Sequence, residues 1–580
     1  MTRHSSERRQ FMAVWGSLAA ASCLPETANA ATPPPRTPLS RPAGQMAGAY
    51  DVVVVGSGYG GAVMAARLAP GRRLCVLERG KEWLPADFPS GFAPTISEFR
   101  SASQPLGLFD YRIGPTLDVL AGNGLGGTSL INANVVIAPD RDVFGRWPAA
   151  IQAAYASGAM DAYELRVRQM LAVDTVAEGD GLRKSWFQAS TAKARLRAGA
   201  GTGPKALELA VNLRRYQYQP NAQGIWQSAC THCGDCVTGC RVGAKNTLDA
   251  NYLPLARNAG AEIYARIEVE YLERLADGRW RVHYLSRPDG AAAVRGQVVA
   301  SSVVLAAGAL GSTQILLRSR AQGLPLSPAL GTRFSANGDL LGFAYNTSVQ
   351  TNVMGFGDGA PPRGERRVGP TITTAADYRN KTAVAERFLI EEGAIPAALV
   401  DAVRLALPAV AGTAQDFSAA QRIARDLAAR RTDGALNHSM VYLGIGHDSA
   451  SGRVELDAQG NARVVWPALT SEPFVDRLRA EMAQHARAYG GKFVDSPRAS
   501  PIFGGAMTTV HPLGGCPMAE RGEDGVVDAD GRVFNPYGGT QAVYPGLRVV
   551  DGSIAPASIG ANPLLTIAAL AERAADRFPA

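Results

Sequence analysis

The stretch Asp51-Val52-Val53-Val54-Val55-Gly56-Ser57-Gly58-Tyr59-Gly60-Gly61 decides the fold. Four consecutive valines form a short, wholly apolar, β-branched run, as a parallel strand buried on both faces requires. The run enters a turn that fits G-x-G-x-x-G through Gly56, Gly58 and Gly61, with Tyr59 inside it. One glycine makes the tight turn, one lets the backbone approach a pyrophosphate, and one permits close helix packing. The apolar residues Ala62–Leu68 continue as a helix, whose N-terminus turns its positive end to the phosphates. Leu74-Cys75-Val76-Leu77 reads as the next strand and ends at Glu78, 20 residues after Gly58. A carboxylate there can accept hydrogen bonds from both ribose hydroxyls of a dinucleotide. The unit is a βαβ dinucleotide site. It does not separate NAD from FAD.

Outward from this unit, the chain of 580 residues is long enough for a two-domain enzyme. Its formal charge is +8, but the basic residues are dispersed, which excludes a nucleic-acid-binding class and admits peripheral contact with anionic membranes. Arg8-Arg9 before Gln10-Phe11-Met12, an apolar stretch Ala13–Leu24 and the small-residue site Ala28-Asn29-Ala30 predict a twin-arginine signal peptide over 1–30. Export to the periplasm or exterior follows from it. Residues 31–48, rich in Pro, Ala, Arg and Thr, predict an extended linker. Residues 352–372 read as loop, 387–432 as helical, and 438–466 as sheet, with a final helix over Leu564–Arg573.

Several further stretches resemble the glucose–methanol–choline (GMC) oxidoreductase family, and within it the cholesterol-oxidase branch. They are Gly122-Asn123-Gly124-Leu125-Gly126-Gly127-Thr128-Ser129-Leu130-Ile131-Asn132, Val304-Leu305-Ala306-Ala307-Gly308-Ala309, His511-Pro512-Leu513-Gly514-Gly515-Cys516, Val550-Asp551-Gly552-Ser553 and Gly560-Ala561-Asn562-Pro563. The resemblance implies an α/β fold: a discontinuous Rossmann-like FAD-binding domain (49–345 and 501–580, with a Cys-rich insert at 226–245) and a substrate domain on a mixed or antiparallel sheet (346–500). It implies FAD in place of NAD. Gly122, Asn123, Gly126, Gly127, Thr128 and Asn132 are then expected around the flavin and pyrophosphate. Val269 is expected at the adenine, Asp551 and Gly552 at the ribityl and pyrophosphate region, and Asn562 and Pro563 beside the isoalloxazine.

Oxidising an alcohol removes a proton from oxygen and a hydride from carbon. The flavin takes the hydride. His511 is the candidate proton acceptor, because imidazole titrates near neutrality. By the resemblance Asn562 holds the same hydroxyl, and a sterol hydroxyl is the leading substrate. Oxygen or an electron carrier reoxidises the flavin. Sterol oxidases of this branch also use a carboxylate to isomerise the steroid double bond. Glu391, Glu392 and Glu455 are candidates, each read as a solvated surface acid, and His438 and His447 are read as structural.

Cys230, Cys233, Cys236 and Cys240 are spaced C-x₂-C-x₂-C-x₃-C, like a bacterial ferredoxin run. An iron–sulfur cluster (4Fe-4S or 3Fe-4S) that relays electrons to an outside carrier is the leading reading. Structural zinc and disulfides are the other two. Cys75 and Cys516 read as free thiols.

Overall fold

The computed structural model describes residues 36–176, 180–215, 217–358, 367–428 and 432–579. The signal peptide expected at 1–30 lies outside the described residues. The valine run becomes the strand Ala49–Val55, in which Val52 to Val55 are at most 3% exposed. It pairs in parallel with Leu74–Leu77 on one side and with Val294–Leu305 on the other. Glu262–Tyr264 extends the parallel sheet beyond Leu74–Leu77, and Val543–Val549 adds to the far end of the long strand. The near end of that long strand instead continues into an antiparallel meander through Trp280–Ser286 and Ile267–Arg274. The helix after the glycine turn spans Tyr59–Leu68 and packs against the C-terminal helix Leu564–Asp576. Residues more than 500 apart in sequence thus form one layer. Arg67, on the first helix, donates to the buried Glu572 on the last.

A second, six-stranded sheet is antiparallel throughout. Its order is Lys492–Asp495, Leu340–Tyr345, Met440–Ile445, Leu389–Gly393, Thr374–Asp377 and Gly203–Ala206. It therefore draws on two strands from outside 346–500. Between 387 and 432, helices do form over Val400–Ala411 and Phe417–Ala428, but Leu389–Gly393 is a central strand. The apolar run Phe388-Leu389-Ile390 is short enough for a buried strand, and length arbitrates between strand and helix at such runs.

The described part of the expected linker lies against the domain. Leu39 is buried, Leu39 and Ser40 donate to Glu82, and Arg36 pairs with Asp249. These polar anchors tie the segment down.

Successive strand residues face opposite sides of a sheet. Glu391 and Glu392, both fully buried, therefore diverge. Glu392 turns to the helix Arg183–Arg197, where Lys184 Nζ donates to its Oε2 at 2.8 Å and Thr373 and Thr374 donate to its other oxygen. Removing one partner of a buried pair strands the other charge, at a cost of ~3–5 kcal/mol. Lys184→Met is expected to lower unfolding free energy by about that amount in denaturant titration, and Glu392→Gln added to it, which removes the charge but keeps an acceptor for Thr373 and Thr374, to recover most of the loss. Equal losses in the single and double variants would contradict a paired role.

Candidate active site

The carboxyl ends of the parallel strands open on a cavity of about 430 Å³ that reaches the face of the second sheet. Each wall follows from a local demand of the sequence. The glycine turn is one. Gly60 cannot carry a side chain, because a Cβ there would sit 1.6 Å from the carbonyl oxygen of Val550. Gly58 is the opposite case: a Cβ there meets no protein atom within 4 Å and points into open space at the helix start. The helix and the Val550–Gly552 segment are thus held at backbone contact, and the helix N-terminus is left bare for an anion.

Most sequence-predicted residues converge on this cavity. Gly56, Gly58, Tyr59, Glu78, Gly122, Gly127, Thr128, Asn132, Val269, Asp551, Gly552, His511, Asn562 and Pro563 all line it. Gly61, Asn123 and Gly126 stand behind the wall. Asn123 spends its side chain on Arg79 Nε and on the Gly107 carbonyl. The backbone N–H of Gly126 donates to Ser57 Oγ. Gly61 is excluded from carrying a side chain by the Gly56 carbonyl, 2.0 Å from a Cβ position. Glu78 accepts from Ser57 N and Oγ through one oxygen and from Gly80 N through the other. The carboxylate expected to face a ribose thus also ties the glycine turn to the strand end. Asp551 likewise accepts from Gly308 N, Ser312 Oγ and Ser553 N.

At the other end of the cavity, His511 Nε2 lies 3.4 Å from Asn562 Nδ2, and that amide nitrogen donates to Glu391 Oε2 at 3.3 Å. Glu391 is a correction to the sequence reading. It is no solvated acid but a fully buried one at the reactive end of the cavity. Its second oxygen, with Asn562 Oδ1 and Asn132 Oδ1, is buried without a hydrogen-bond partner within the protein. Buried polar atoms left unpaired call for an outside partner. Burial pushes the Glu391 carboxyl up to about 8, against the pull of His511 and the Asn562 hydrogen bond. Glu392 is corrected in the same way, as the structural acid described above. Glu455, by contrast, is partly exposed and pairs with Arg453 and Arg463.

Sequence reading did not find Asp339. Its Oδ1 lies 2.8 Å from His511 Nδ1, and its Oδ2 accepts from Thr509 Oγ1, Val510 N and His511 N. Burial draws the imidazole pKa down. The Asp339 charge, the Asp339 hydrogen bond and Glu391 outweigh burial and leave the imidazole raised. The signal available in the sequence is the Asn337-Gly338-Asp339 turn. His438 and His447 bond to Thr347 O and Ser558 Oγ, as structural histidines do.

The Cys loop touches this region through Val237, which lines the cavity. Lys245 Nζ donates to the carbonyls of Leu130, Asn132 and Cys236, joining the loop to the glycine-rich segment. Burial lowers its pKa to about 8. The expected iron–sulfur cluster finds no support here. Among the described residues no three His, Cys, Asp or Glu side chains group as metal ligands. Among the described residues no disulfide forms and no zinc-ligand group is found; Cys230, Cys233, Cys236 and Cys240 are free thiols, as are Cys75 and Cys516. Burial pushes Cys230, Cys233 and Cys236 toward the neutral form. Tight turns at His232, Gly234 and Gly239 bring the loop against Val368 and Phe88.

A glycine cradle on a parallel sheet, with an imidazole and an amide at its far end, defines a dinucleotide-dependent oxidoreductase. Residues 50–335 and 448–571 match the GMC oxidoreductase family models, and the chain belongs to that family, whose members bind FAD and act on alcohols. It is 28% identical over 559 residues to a cholesterol oxidase of Mycobacterium tuberculosis, covering 91% of each chain. It is also 28% identical over 576 residues to a cholesterol oxidase of Acinetobacter baumannii, covering 92% of this chain and 94% of that one. Among solved structures, pyridoxine 4-oxidase from Mesorbium loti shares the fold, with a TM-score of 0.59 at 18% identity over 91% of this chain and 99% of that one.

The residues present fit FAD. The bare Gly58 surface at the helix start suits a pyrophosphate, and the unpaired Asn132 Oδ1 faces the same cradle.

Proposed function

We propose that the enzyme oxidises the hydroxyl of a sterol to a ketone. The observation that carries this reading is a fully buried carboxylate, Glu391, which accepts from Asn562 just behind a largely apolar part of the cavity wall. Leu341, Val441, Leu443, Ile372 and Val510 line that part, with Thr371 and Asn134 the polar side chains in the same lining. A sugar would need many hydrogen-bonding partners there; a fused hydrocarbon skeleton needs none. Similarity to cholesterol oxidases along most of the chain supports the same reading.

In this reading the substrate hydroxyl lies between His511 Nε2 and Asn562. His511 Nε2 accepts the hydroxyl proton, and the Asn562 side chain fixes the oxygen so that its carbon faces the cradle. Bound FAD supplies the hydride acceptor. Glu391 then moves a proton between two ring carbons, bringing the double bond into conjugation with the new carbonyl. That transfer needs the ionised carboxylate. With a pKa raised to about 8, the ionised fraction grows as pH rises through that value. Glu391→Gln is expected to abolish isomerisation and its alkaline-rising limb while leaving oxidation within about tenfold. Product analysis by ultraviolet absorption separates the two ketones, and a variant that still yields the conjugated one would remove Glu391 from this role.

A second reading is a dehydrogenase of a sugar or aliphatic alcohol that passes electrons to an external carrier. It is favoured by Thr371 and Asn134, polar side chains in the cavity lining. Assays with cholesterol, simple alcohols and sugars, in air and with an artificial acceptor, decide between the two. Turnover of sterol in air with peroxide formation supports the first. Acceptor-dependent turnover of small alcohols supports the second. We further propose export by the signal at 1–30 and peripheral contact with the membrane that holds a sterol. No helix among the described residues is long and apolar enough to cross a membrane. Periplasmic activity that disappears on Arg8→Lys/Arg9→Lys tests the export route.

A further inference from the structure

Two residues of the reactive pair, 51 positions apart in sequence, are anchored by one turn. Asn337 is fully buried with φ 55°, a backbone state in which Asn is among the more tolerant residues. Its Oδ1 accepts from Ile559 N and Gly560 N, and its Nδ2 donates to Ala561 O. Asn337 therefore holds the loop that ends at Asn562. Two residues on, Asp339 holds His511 through four hydrogen bonds, to Nδ1, to the His511 and Val510 amides and to Thr509 Oγ1. The turn is itself clamped by Asp448, which accepts from Ala336 N, Gly338 N and Ser335 Oγ. Gly338 cannot carry a side chain, since a Cβ would come within 2.5 Å of the Gly446 backbone.

We propose that Asp339 is the positioning residue of the reaction, fixing His511 as the tautomer that carries its proton on Nδ1 and presents an unprotonated Nε2 to the substrate hydroxyl. The proposal rests on His511 Nε2 being the proton acceptor. A carboxylate has only acceptor oxygens, so the ring nitrogen facing it must be the protonated one. The second oxygen is committed to three donors of the 509–511 segment, so the carboxylate cannot swing away. Once Nε2 has taken the hydroxyl proton, the same carboxylate lies against the imidazolium and favours it. Asp339 and Glu391 are the charged groups facing the ring; only Asp339 is bonded to it.

Asp339→Asn is the test. Its amide oxygen is required by the three donors at Oδ2, which leaves its NH₂ facing Nδ1. That arrangement forces Nδ1 to accept and moves the ring proton to Nε2, where it points into the cavity. The expected result is a kcat lower by ~10²–10⁴-fold, as when an orienting Asp is amidated in a catalytic triad. Flavin content is expected to match the parent, with KM within about threefold. The acid limb of the kcat/KM profile is expected to move to lower pH, because the charge that favours the imidazolium is gone. In a His511→Gln background the same substitution is expected to cost nothing further, since it acts through the ring.

A normal kcat and pH profile in Asp339→Asn would overturn the proposal, as would an equal loss in both backgrounds. If Asp339→Asn does not accumulate as folded protein, Asp339→Glu replaces it. It is expected to keep the acid limb in place while kcat falls at least ~10-fold from ring displacement; an unchanged kcat would again overturn the proposal. The two layers fail separately. An inactive His511→Gln with an unaffected Asp339→Asn sinks only the positioning role, whereas an active His511→Gln sinks the reading beneath it.

Discussion

His511→Gln is expected to lower kcat by ~10²–10⁴-fold, the usual contribution of a positioned general base. Flavin content and fold are expected to stay unchanged. Three observations motivate the size of the effect. Nε2 is the one titratable nitrogen that meets Asn562 at the end of the cavity. The ring is held from behind by a buried carboxylate. Its proton affinity is raised in spite of burial, so it accepts a hydroxyl proton more readily than an ordinary buried histidine. Glutamine fills similar space and can still hydrogen bond, but it cannot hold the proton. The loss should therefore fall on kcat and kcat/KM together, the mark of an interaction made in the transition state. Steady-state kinetics at saturating alcohol, normalised to bound flavin, measures it. A variant that keeps parental turnover would make the protein a flavin carrier without this chemistry.

The second large effect comes from two neighbouring glycines that should fail in different ways. At Gly58 a side chain meets no protein, and the backbone, with φ −67° and ψ −170°, accepts any residue. Gly58→Val is expected to fold with parental stability and to lose FAD affinity by at least about 100-fold, near 2.8 kcal/mol, because the new methyls occupy the anion's place. At Gly60 the obstacle is the Val550 carbonyl at 1.6 Å. Gly60→Val must push apart the helix Tyr59–Leu68 and the segment leading to Asp551. It is expected to lower the melting temperature and lose flavin together. Thermal unfolding beside flavin titration distinguishes the two. Equal stability loss at both positions would mean that the open space at Gly58 is not the cofactor's.

This contrast also shows what could be read in advance. The dinucleotide cradle was legible because glycine spacing marks where a side chain is barred, whether the obstacle is local, as Gly56 is for Gly61, or distant, as Val550 is for Gly60. The βαβ order and the pairing of Val52–Val55 follow from the local sequence pattern. His511 and Asn562 were reached through family resemblance, since nothing local marks either as reactive. Glu391 and Asp339 were not assigned. Their decisive contacts join residues 171 and 172 positions apart, and no periodicity encodes which loop a strand will face. For Glu391 a partial signal existed: two acids close an apolar strand-length run, where solvated acids are uncommon. For the linker, composition reports the tendency of a free chain and says nothing of where it docks; Leu39, Ser40 and Arg36 find partners on the domain. The Cys run illustrates the converse. Spacing alone suggested a cluster, yet the loop is held by Lys245 and by close glycine packing.

The most direct test of the account is anaerobic mixing of the purified enzyme with a sterol while the visible flavin band is followed. The account predicts a yellow protein whose band bleaches in a single turnover, with one ketone formed per flavin, and bleaches at least ~10²-fold more slowly in His511→Gln. A protein that carries no flavin, or one whose flavin band no alcohol bleaches, would contradict it.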